Sequence, residues 1–357
     1  MGEAAGARCH LLDVHPDPIH NRTVVSVAAT SIDALVDSLL RSVALARARI
    51  DLRRHTGVHP RVGAADVVPV VPLAGVAMED CVAAAHRLGE RIWAELEIPV
   101  FFYGEAARRP EARLLSRIRA GADPPDLGAE LHPTAGAVSV GARPPLLAYN
   151  LVLPDAAPQA AAALAAAIRE SGGGMPGVQA LAFDLGPGLR QLSMNLVRLD
   201  QVTPGAVVAR ARQLAAEAGL EIGAEEVVGL CPAAYADTPA ANGRLLEARI
   251  AAAGTLAGAA ECRRRGGREL ELLAGRLEER AAGLAGLGIG GDSLLRGAEE
   301  AAAVPRVLER AGALVPAAAE LLGYAAERLR AAVTPDVARE HAARVEALDR
   351  WPPNPRS

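Results

Sequence analysis

The chain has 357 residues, of which 51% are hydrophobic and 22% charged, so its composition excludes a disordered chain and predicts two or three globular domains. Its 38 basic residues are all arginine and stand against 42 acidic ones, giving a formal net charge of -4 that argues against a dedicated nucleic-acid binder. Because the sequence contains no lysine, sites built on a P-loop lysine, a Schiff base or a pyridoxal anchor are excluded.

The cysteines and the apolar stretches indicate a cytoplasmic protein. Four scattered cysteines without a C-x-x-C pair predict neither a zinc ribbon nor a disulfide framework. No basic-then-apolar run near the amino terminus predicts a signal peptide, and the alanine-rich stretches are too short or too often interrupted to span a bilayer. We therefore expect no contact with a membrane.

Residues 1–143 alternate between predicted strands and helices. The spacing predicts two strands, residues 10–14 and 23–29, then a helix that Ser31 caps. The apolar run at residues 66–71 contains a proline, which predicts an edge position, and a long helix over 78–96 precedes a strand at 98–103. From the second strand onward, strands and helices are predicted in the same order as in the region that follows.

For residues 144–237 the sequence pattern predicts the element order β-α-β-β-α-β. The strands cover 146–153, 178–183, 191–196 and 227–230, and Gly186-Pro187-Gly188 predicts the hairpin between the middle two. This order is typical of a ferredoxin-like sandwich, in which helices cover one face of an antiparallel sheet.

Residues 238–357 predict an all-helical region, since strand signals are missing and leucine recurs at helical spacing. The glycine-rich stretch at 283–291 predicts a break into two helical halves, and Pro352-Pro353 predicts the end. A helical hairpin or bundle that packs on the rest of the chain or on a second subunit is expected.

The densest polar cluster is RRHTGVHPRVGAAD, residues 53–66. Histidine is the usual general base near neutral pH, and arginines bind carboxylates bidentately. A solvated helix end with a capping histidine is the alternative for these residues. Two zinc ligands on one helix face are a minor possibility, because Gly57 and Pro60 disfavour a continuous helix.

Two further clusters give weaker signals. DVHPDPIHNRT, residues 13–23, joins two predicted strands and mixes carboxylates, imidazoles and arginine, so it fits a metal site or a polar turn. Glycine-containing turns at 132–137, 141–143 and 171–177 let backbone N–H groups approach an anion, although an ordinary loop is the commoner explanation.

Eight blocks of the sequence, in this order, resemble the formiminotransferase family, whose members move a formimino group from N-formimino-L-glutamate to tetrahydrofolate in histidine breakdown. They span Leu11 to Pro232, about two thirds of the chain. The blocks are LLDVHPDPIHNRTV, IDLRRHTGVHPRVGAADVVPVVPLAGVAMEDCV, IPVFFYGEAARRPE, PDLG, HPTAGAVSVGARPPLLAYNLVL, IRESGGGMPGVQAL, QLSMNL and VVGLCP.

The resemblance implies a fold and a site. It implies an α+β protein with two ferredoxin-like halves, residues 1–143 and 144–237, with folate in the cleft between them and a helical extension at 238–357. His59 matches the family's general base, with His15 or Asp66 as a tuning partner, and tetrahydrofolate is the co-substrate without any metal. Because both substrates carry carboxylates, arginines are expected as anchors. The substrate and folate contacts expected are Asp13, Arg22, Arg53, Arg54, Arg61, Arg143, Gly172, Gly173, Gly174 and Asn195.

The sequence also departs from the family pattern. The stretch before Leu11 lacks a V-P-N-F-S-E-G-like segment, so the first half is expected to lack its first β-α unit. Val58 stands where the family usually has glutamate before the catalytic histidine. The helical extension is expected to be a degenerate cyclodeaminase-derived dimerisation module, although a generic alanine-rich bundle is equally compatible with it.

These departures leave three functions open. The first is glutamate formimino transfer by a homodimer. The second is a catalytically impaired folate-binding or scaffold protein, and the third is a transferase for another donor such as formiminoglycine.

Overall fold

The computed structural model describes residues 9–73, 75–121, 123–241, 243–288 and 291–333. Within them the fold is mixed α and β, and the chain divides into two compact units, one up to Gly229 and one from Leu230 onward. The expectation that the first β-α unit is lacking concerns residues that lie mostly outside the described ones, as does the expected end at Pro352-Pro353.

The first half of the first unit, residues 9–143, contains a hairpin and a separate parallel sheet. Strands β1 and β2 pair antiparallel, and β5 lies between β3 and β4 in a three-stranded parallel sheet. The elements are β1 Cys9–Asp17, β2 Arg22–Ala29, α1 Ile32–Arg49, β3 Val67–Val70, α2 Met78–Leu96, β4 Val100–Gly104, α3 Leu115–Arg119 and β5 Val138–Ala142.

The parallel sheet is covered by α2, which packs on all three of its strands. Leu88 and Ile92 on this helix are fully buried, together with Phe102 of β4. Gly89 makes the contact close, because a Cβ there would lie 2.5 Å from the Phe102 ring. The core of the first half therefore lies around α2, between this helix, the sheet and α1.

Strand β5 corrects the expectation of a turn at Gly141-Ala142-Arg143. The central strand ends at Ala142, and Gly141 lies within it against the Tyr103 ring, where a Cβ would be 2.4 Å from Cε1. Arg143 follows the strand and its backbone N donates to the Val70 carbonyl oxygen at 3.2 Å.

The second half, residues 144–229, forms one four-stranded antiparallel sheet in the order β7-β8-β6-β9. The predicted element order is confirmed, and α4 packs on β7, β8 and α5. The elements are β6 Leu147–Pro154, α4 Pro158–Ile168, β7 Val178–Gly186, β8 Leu189–Leu196, α5 Pro204–Glu217 and β9 Glu225–Val228.

The described residues of the second unit are helical, and the predicted break at 283–291 separates two halves of two helices each. The additional breaks lie at Gly266-Gly267 and around Gly312, where three glycines adopt positive φ. The helices are α6 Leu246–Arg265, α7 Arg268–Ala285, α8 Gly291–Arg310 and α9 Pro316–Ala331. Among the described residues, none of the helices is long and apolar enough to cross a membrane.

Candidate active site

The loop at residues 51–66 is fixed against the residues that enter β5. Leu52 N donates to Thr134 O at 2.8 Å, and Ala64 N donates to Ala135 O at 2.9 Å. Gly63 lies so close to this segment that a Cβ would be 1.7 Å from the Ala137 carbonyl oxygen. The loop that carries His59 is therefore held by backbone hydrogen bonds and by a glycine that tolerates no side chain.

The same loop is joined to the turn between β1 and β2. Asn21, which adopts a left-handed φ of 47°, donates from Nδ2 to the Thr56 carbonyl oxygen at 2.6 Å. A Cβ at Gly57 would lie 2.6 Å from the His20 carbonyl oxygen. These contacts bring the two histidine-containing clusters of the sequence, residues 13–23 and 53–66, into one place.

His59 lies where the two halves of the first unit meet. Its ring centroid is 6.0 Å from that of His20 and 6.0 Å from that of Phe183, which belongs to β7 of the second half. The His20 and Phe183 rings are 5.4 Å apart and edge-on. Three aromatic rings from the hairpin turn, the loop and the second sheet thus meet in one cluster, which we call the ring cluster.

The surroundings of His59 keep its imidazole neutral. Burial lowers the pKa of His59 from 6.5 to about 4, with the charges of Arg22 and Arg119 acting in the same direction and that of Asp66 opposing them. A neutral imidazole has a free lone pair, so His59 can accept a proton throughout the neutral range.

Asp66 is held by two hydrogen bonds. Its Oδ1 accepts from Val62 N at 2.6 Å, and its Oδ2 accepts from Arg119 Nη2 at 2.7 Å. Asp66 therefore closes the 51–66 loop and pairs with Arg119 of α3. Its effect on His59 is exerted by charge.

His15 and Glu226 connect the two halves at a second point. His15 Nε2 lies 3.1 Å from Glu226 Oε1, and Asn150 Nδ2 donates to Glu226 Oε2 at 2.9 Å. The predicted tuning partner His15 thus pairs with a carboxylate of β9, while the ring beside His59 is that of His20.

Of the predicted arginines, Arg22 and Arg61 lie at the ring cluster. Arg22 acts on His59 by charge, and its Nε is buried without a hydrogen-bond partner among the described residues. Arg61 donates to backbone carbonyl oxygens of the hairpin turn and the loop. Arg53 and Arg54 are exposed, and Arg53 pairs with Asp51 at 2.7 Å.

The remaining predicted residues are spread over the first unit. Arg143, Arg119 and Asp66 all act electrostatically on Tyr103, whose pKa burial raises, so Arg143 shares the neighbourhood of the Asp66–Arg119 pair. Asp13 is buried in β1, and Asn195 is an exposed residue of β8.

Gly172, Gly173 and Gly174 form the turn that ends α4. Gly172 N and Gly174 N both donate to Arg169 O at 3.0 Å, and Gly173 N donates to Glu170 O at 2.9 Å. Their N–H groups are therefore used within the turn. A Cβ at Gly172 would lie 1.9 Å from the Ala166 carbonyl oxygen, so this glycine is required by the close backbone.

Sequence reasoning did not select His20, Asp17, Arg119 and Phe183. The first two stand in the 13–23 cluster, where mixed polar residues between two strands gave a weak signal. Arg119 and Phe183 carry no local signal, because only tertiary packing brings α3 and β7 to the loop.

The described residues offer no group of three or more histidine, cysteine, aspartate or glutamate side chains that could hold a metal ion. His55 and His59 lie in a loop, as Gly57 between them and Pro60 after them predict, so they are not two ligands on one helix face.

A family model described as the formiminotransferase domain, N-terminal subdomain, matches residues 3–143. Two relatives, one archaeal and one bacterial, are named glutamate formimidoyltransferase. That of Thermoplasma acidophilum is 38% identical over 237 residues, which are 62% of this chain and 78% of the relative. That of Streptococcus pyogenes is 35% identical over 237 residues, 62% of this chain and 79% of the relative.

A relative whose name gives a second activity matches over a similar length of the chain. The formimidoyltransferase-cyclodeaminase of Rattus norvegicus is 38% identical over 244 residues, which are 63% of this chain and 45% of the relative.

Proposed function

Because the chain belongs to the glutamate formimidoyltransferase family, we propose that it transfers the formimino group of N-formimino-L-glutamate to N5 of tetrahydrofolate, a step of histidine degradation. The products are 5-formiminotetrahydrofolate and glutamate. The observation that carries this proposal is the neutral, half-buried imidazole of His59, which lies where the two halves of one unit meet and is subject to the charges of Arg22 and Arg119.

His59 acts as the base of the reaction. When N5 attacks the formimino carbon, the new N–C bond leaves a positive charge on N5, and its proton passes to the imidazole. With a pKa of about 4 the ring is unprotonated at neutral pH and free to accept this proton, which is acidic because N5 carries a positive charge when it is released. Asp66 acts by charge and stabilises the imidazolium that forms.

Arg22 and Arg119 supply positive charge for the carboxylates of the substrates. Each has an Nε that is buried and unpartnered among the described residues, and a buried donor without an acceptor is costly. A bound carboxylate would satisfy it and orient the formimino carbon toward N5. Positioning two reactants in this way can lower the barrier by up to ~7–11 kcal/mol.

The proposal extends to the organisation of the chain. The second half is a ferredoxin-like domain, supported by its antiparallel order β7-β8-β6-β9 with two crossover helices. Residues 1–143 and 144–237 are two subdomains of the transferase and residues 238–357 a helical extension through which two copies dimerise. The reaction needs tetrahydrofolate and no metal, and it takes place in the cytoplasm.

The test is an assay of the purified full chain with N-formimino-L-glutamate and tetrahydrofolate, following the formation of 5-formiminotetrahydrofolate. His59→Ala should lower kcat by about 10²–10⁴-fold while folate binding is retained. His86→Ala is the matched control, since His86 Nε2 lies 2.8 Å from the Ala106 carbonyl oxygen, remote from the ring cluster in sequence and contacts.

The same assay distinguishes the two alternative functions, a folate-binding scaffold and a transferase for another donor. Equal inactivity of the wild type and His59→Ala with retained folate binding would favour a folate-binding scaffold. Turnover with formiminoglycine but not with N-formimino-L-glutamate would assign a different donor.

A further inference from the structure

Asp17 and His20 form an oriented carboxylate–imidazole pair in the turn between β1 and β2. Asp17 Oδ1 accepts from the backbone N of Ile19 at 3.1 Å and of His20 at 2.9 Å, while Oδ2 lies 2.5 Å from His20 Nδ1. Burial alone would raise the pKa of Asp17, but the hydrogen bonds from His20 and the charge of Arg22 outweigh it and hold this pKa below 3.8. The carboxylate is thus ionised and fixed, and it orients the ring.

The other nitrogen of the His20 ring makes no hydrogen bond within the part of the chain that the structure describes. His20 is 1% exposed, and its Nε2 is buried without a hydrogen-bond partner in the described part of the chain. Its ring contacts His59 and Phe183 in the ring cluster. A buried unpaired nitrogen is costly, so its position beside the proposed base calls for a ligand that uses it.

We propose that His20, oriented by Asp17, is the second proton-transfer residue of this site and protonates the departing glutamate nitrogen. This assignment rests on the proposed function. It divides between two imidazoles the two proton transfers that the reaction requires, and it uses a buried ring nitrogen that is unpaired among the described residues.

The step balances in atoms and charge. His59 takes the proton of N5 as the N5–carbon bond forms. The bond between the formimino carbon and the glutamate nitrogen then breaks, its electron pair stays on nitrogen, and His20 supplies the proton. The two rings return to their starting states by exchange with solvent, so turnover consumes no net proton.

The charges around His20 suit a proton donor. Asp17 faces Nδ1 from the same turn, as carboxylates do in catalytic triads, where they offset imidazolium charge. Opposing positive charge comes from Arg22 of β2 and from Arg61 of the loop, which donates to the His20 carbonyl oxygen. His59 of the loop is neutral near pH 7, and Phe183 of β7 is apolar.

The test is the pH profile of kcat in wild type, His20→Gln and Asp17→Asn, with His86→Gln as the control. We expect His20→Gln to lower kcat by at least 10-fold and to abolish the loss of activity at alkaline pH, because the acid is gone. Asp17→Asn should move that loss to lower pH. A wild-type profile and a kcat within about threefold of wild type in His20→Gln would overturn the assignment.

Nitrogen NMR of the histidine rings covers the case in which His20→Gln does not fold. At the pH of full activity we expect both ring nitrogens of His20 to carry a proton, Nδ1 toward Asp17 and Nε2 as the proton to be donated, and we expect the Nε2 signal to shift when tetrahydrofolate and glutamate are added. An Nε2 without a proton at that pH, or no shift with both ligands bound, would overturn the assignment. Absence of transfer in the wild type would instead overturn the proposed function and this step with it.

Discussion

Arg61 donates a hydrogen bond from Nη2 to the backbone carbonyl oxygen of His20 at 3.1 Å, although 41 positions separate the two residues in the chain. The same guanidinium donates to the His59 carbonyl oxygen at 3.3 Å and to that of Asn21 at 3.4 Å. One side chain therefore fixes the backbone of both histidines. A planar guanidinium with several donors suits this task, and an ammonium group does not.

The first prediction concerns Arg61→Lys. We expect the free energy of unfolding to fall by about 1–2 kcal/mol, since each lost hydrogen bond contributes ~0.5–1.5 kcal/mol, and kcat to fall about 10-fold because both rings lose their anchor. Urea unfolding and steady-state kinetics would measure both effects. Arg54→Lys, on an exposed side chain of the same loop region, should change the stability by no more than about 0.5 kcal/mol. A raised KM without any loss of stability would make Arg61 a substrate anchor instead.

Much of the fold was predictable because local signals and packing agree. Ser31 caps α1 as predicted, with its side chain accepting from Ala34 N, and α2 has the bounds that its apolar spacing indicates. Pro69 lies in β3 at the edge of its sheet, since proline has no N–H for a second neighbouring strand. Strand β5 was not predicted. It contains Gly141 and Ala142, and small residues of this kind also occur in glycine-rich turns, so the sequence did not distinguish the two.

The candidate site was predictable only in part, and the reason lies in sequence distance. The cluster of histidines and arginines at 53–66 is visible in the sequence, so His59 could be selected from it. Phe183 of β7 and Arg119 of α3 come to His59 through packing that no local pattern records. Gly172 shows the opposite case, in which a local signal was misleading. Its glycine run suggests an anion site, but in the structure it forms the turn that ends α4.

The second prediction is a pH dependence of stability caused by His59. Its pKa in the folded protein, about 4, lies below the ordinary value of 6.5, so the unfolded chain binds a proton more readily. The contribution of the neutral ring to stability is therefore fully present above pH 6.5 and is lost as the pH falls toward 4. His59→Gln lacks this loss, so wild type should lose more stability than the variant between pH 7.5 and pH 5 in urea unfolding. Parallel pH profiles of the two proteins would contradict the lowered pKa.

The third prediction restores the residue that the family usually has before the histidine. Val58 is 45% exposed, so Val58→Glu should change stability by no more than about 0.5 kcal/mol. The new carboxylate beside His59 favours the imidazolium, so the pKa of His59 should rise from about 4 toward 6.5. Proton NMR titration of the ring would measure this change, and Val58→Gln is the uncharged control. An equal shift in both variants would show that charge is not its cause.

The fourth prediction concerns the helical unit, where α6 approaches α8 closely at Gly258. A Cβ at this position would lie 2.5 Å from Leu308 Cδ1, and Leu308 is fully buried, so it has little room to move. Gly258→Val should therefore lower the free energy of unfolding by about 1–3 kcal/mol through overpacking.

Gly275 of α7 gives the matched control for this substitution, since a Cβ there meets nothing within 4 Å. Gly275→Ala should stabilise the helix by about 0.5–1 kcal/mol, because alanine loses less backbone entropy than glycine on folding. The two substitutions on neighbouring helices should thus have opposite signs in urea unfolding of the full chain. A Gly258→Val protein as stable as wild type would show that α6 and α8 are not in close contact at this point.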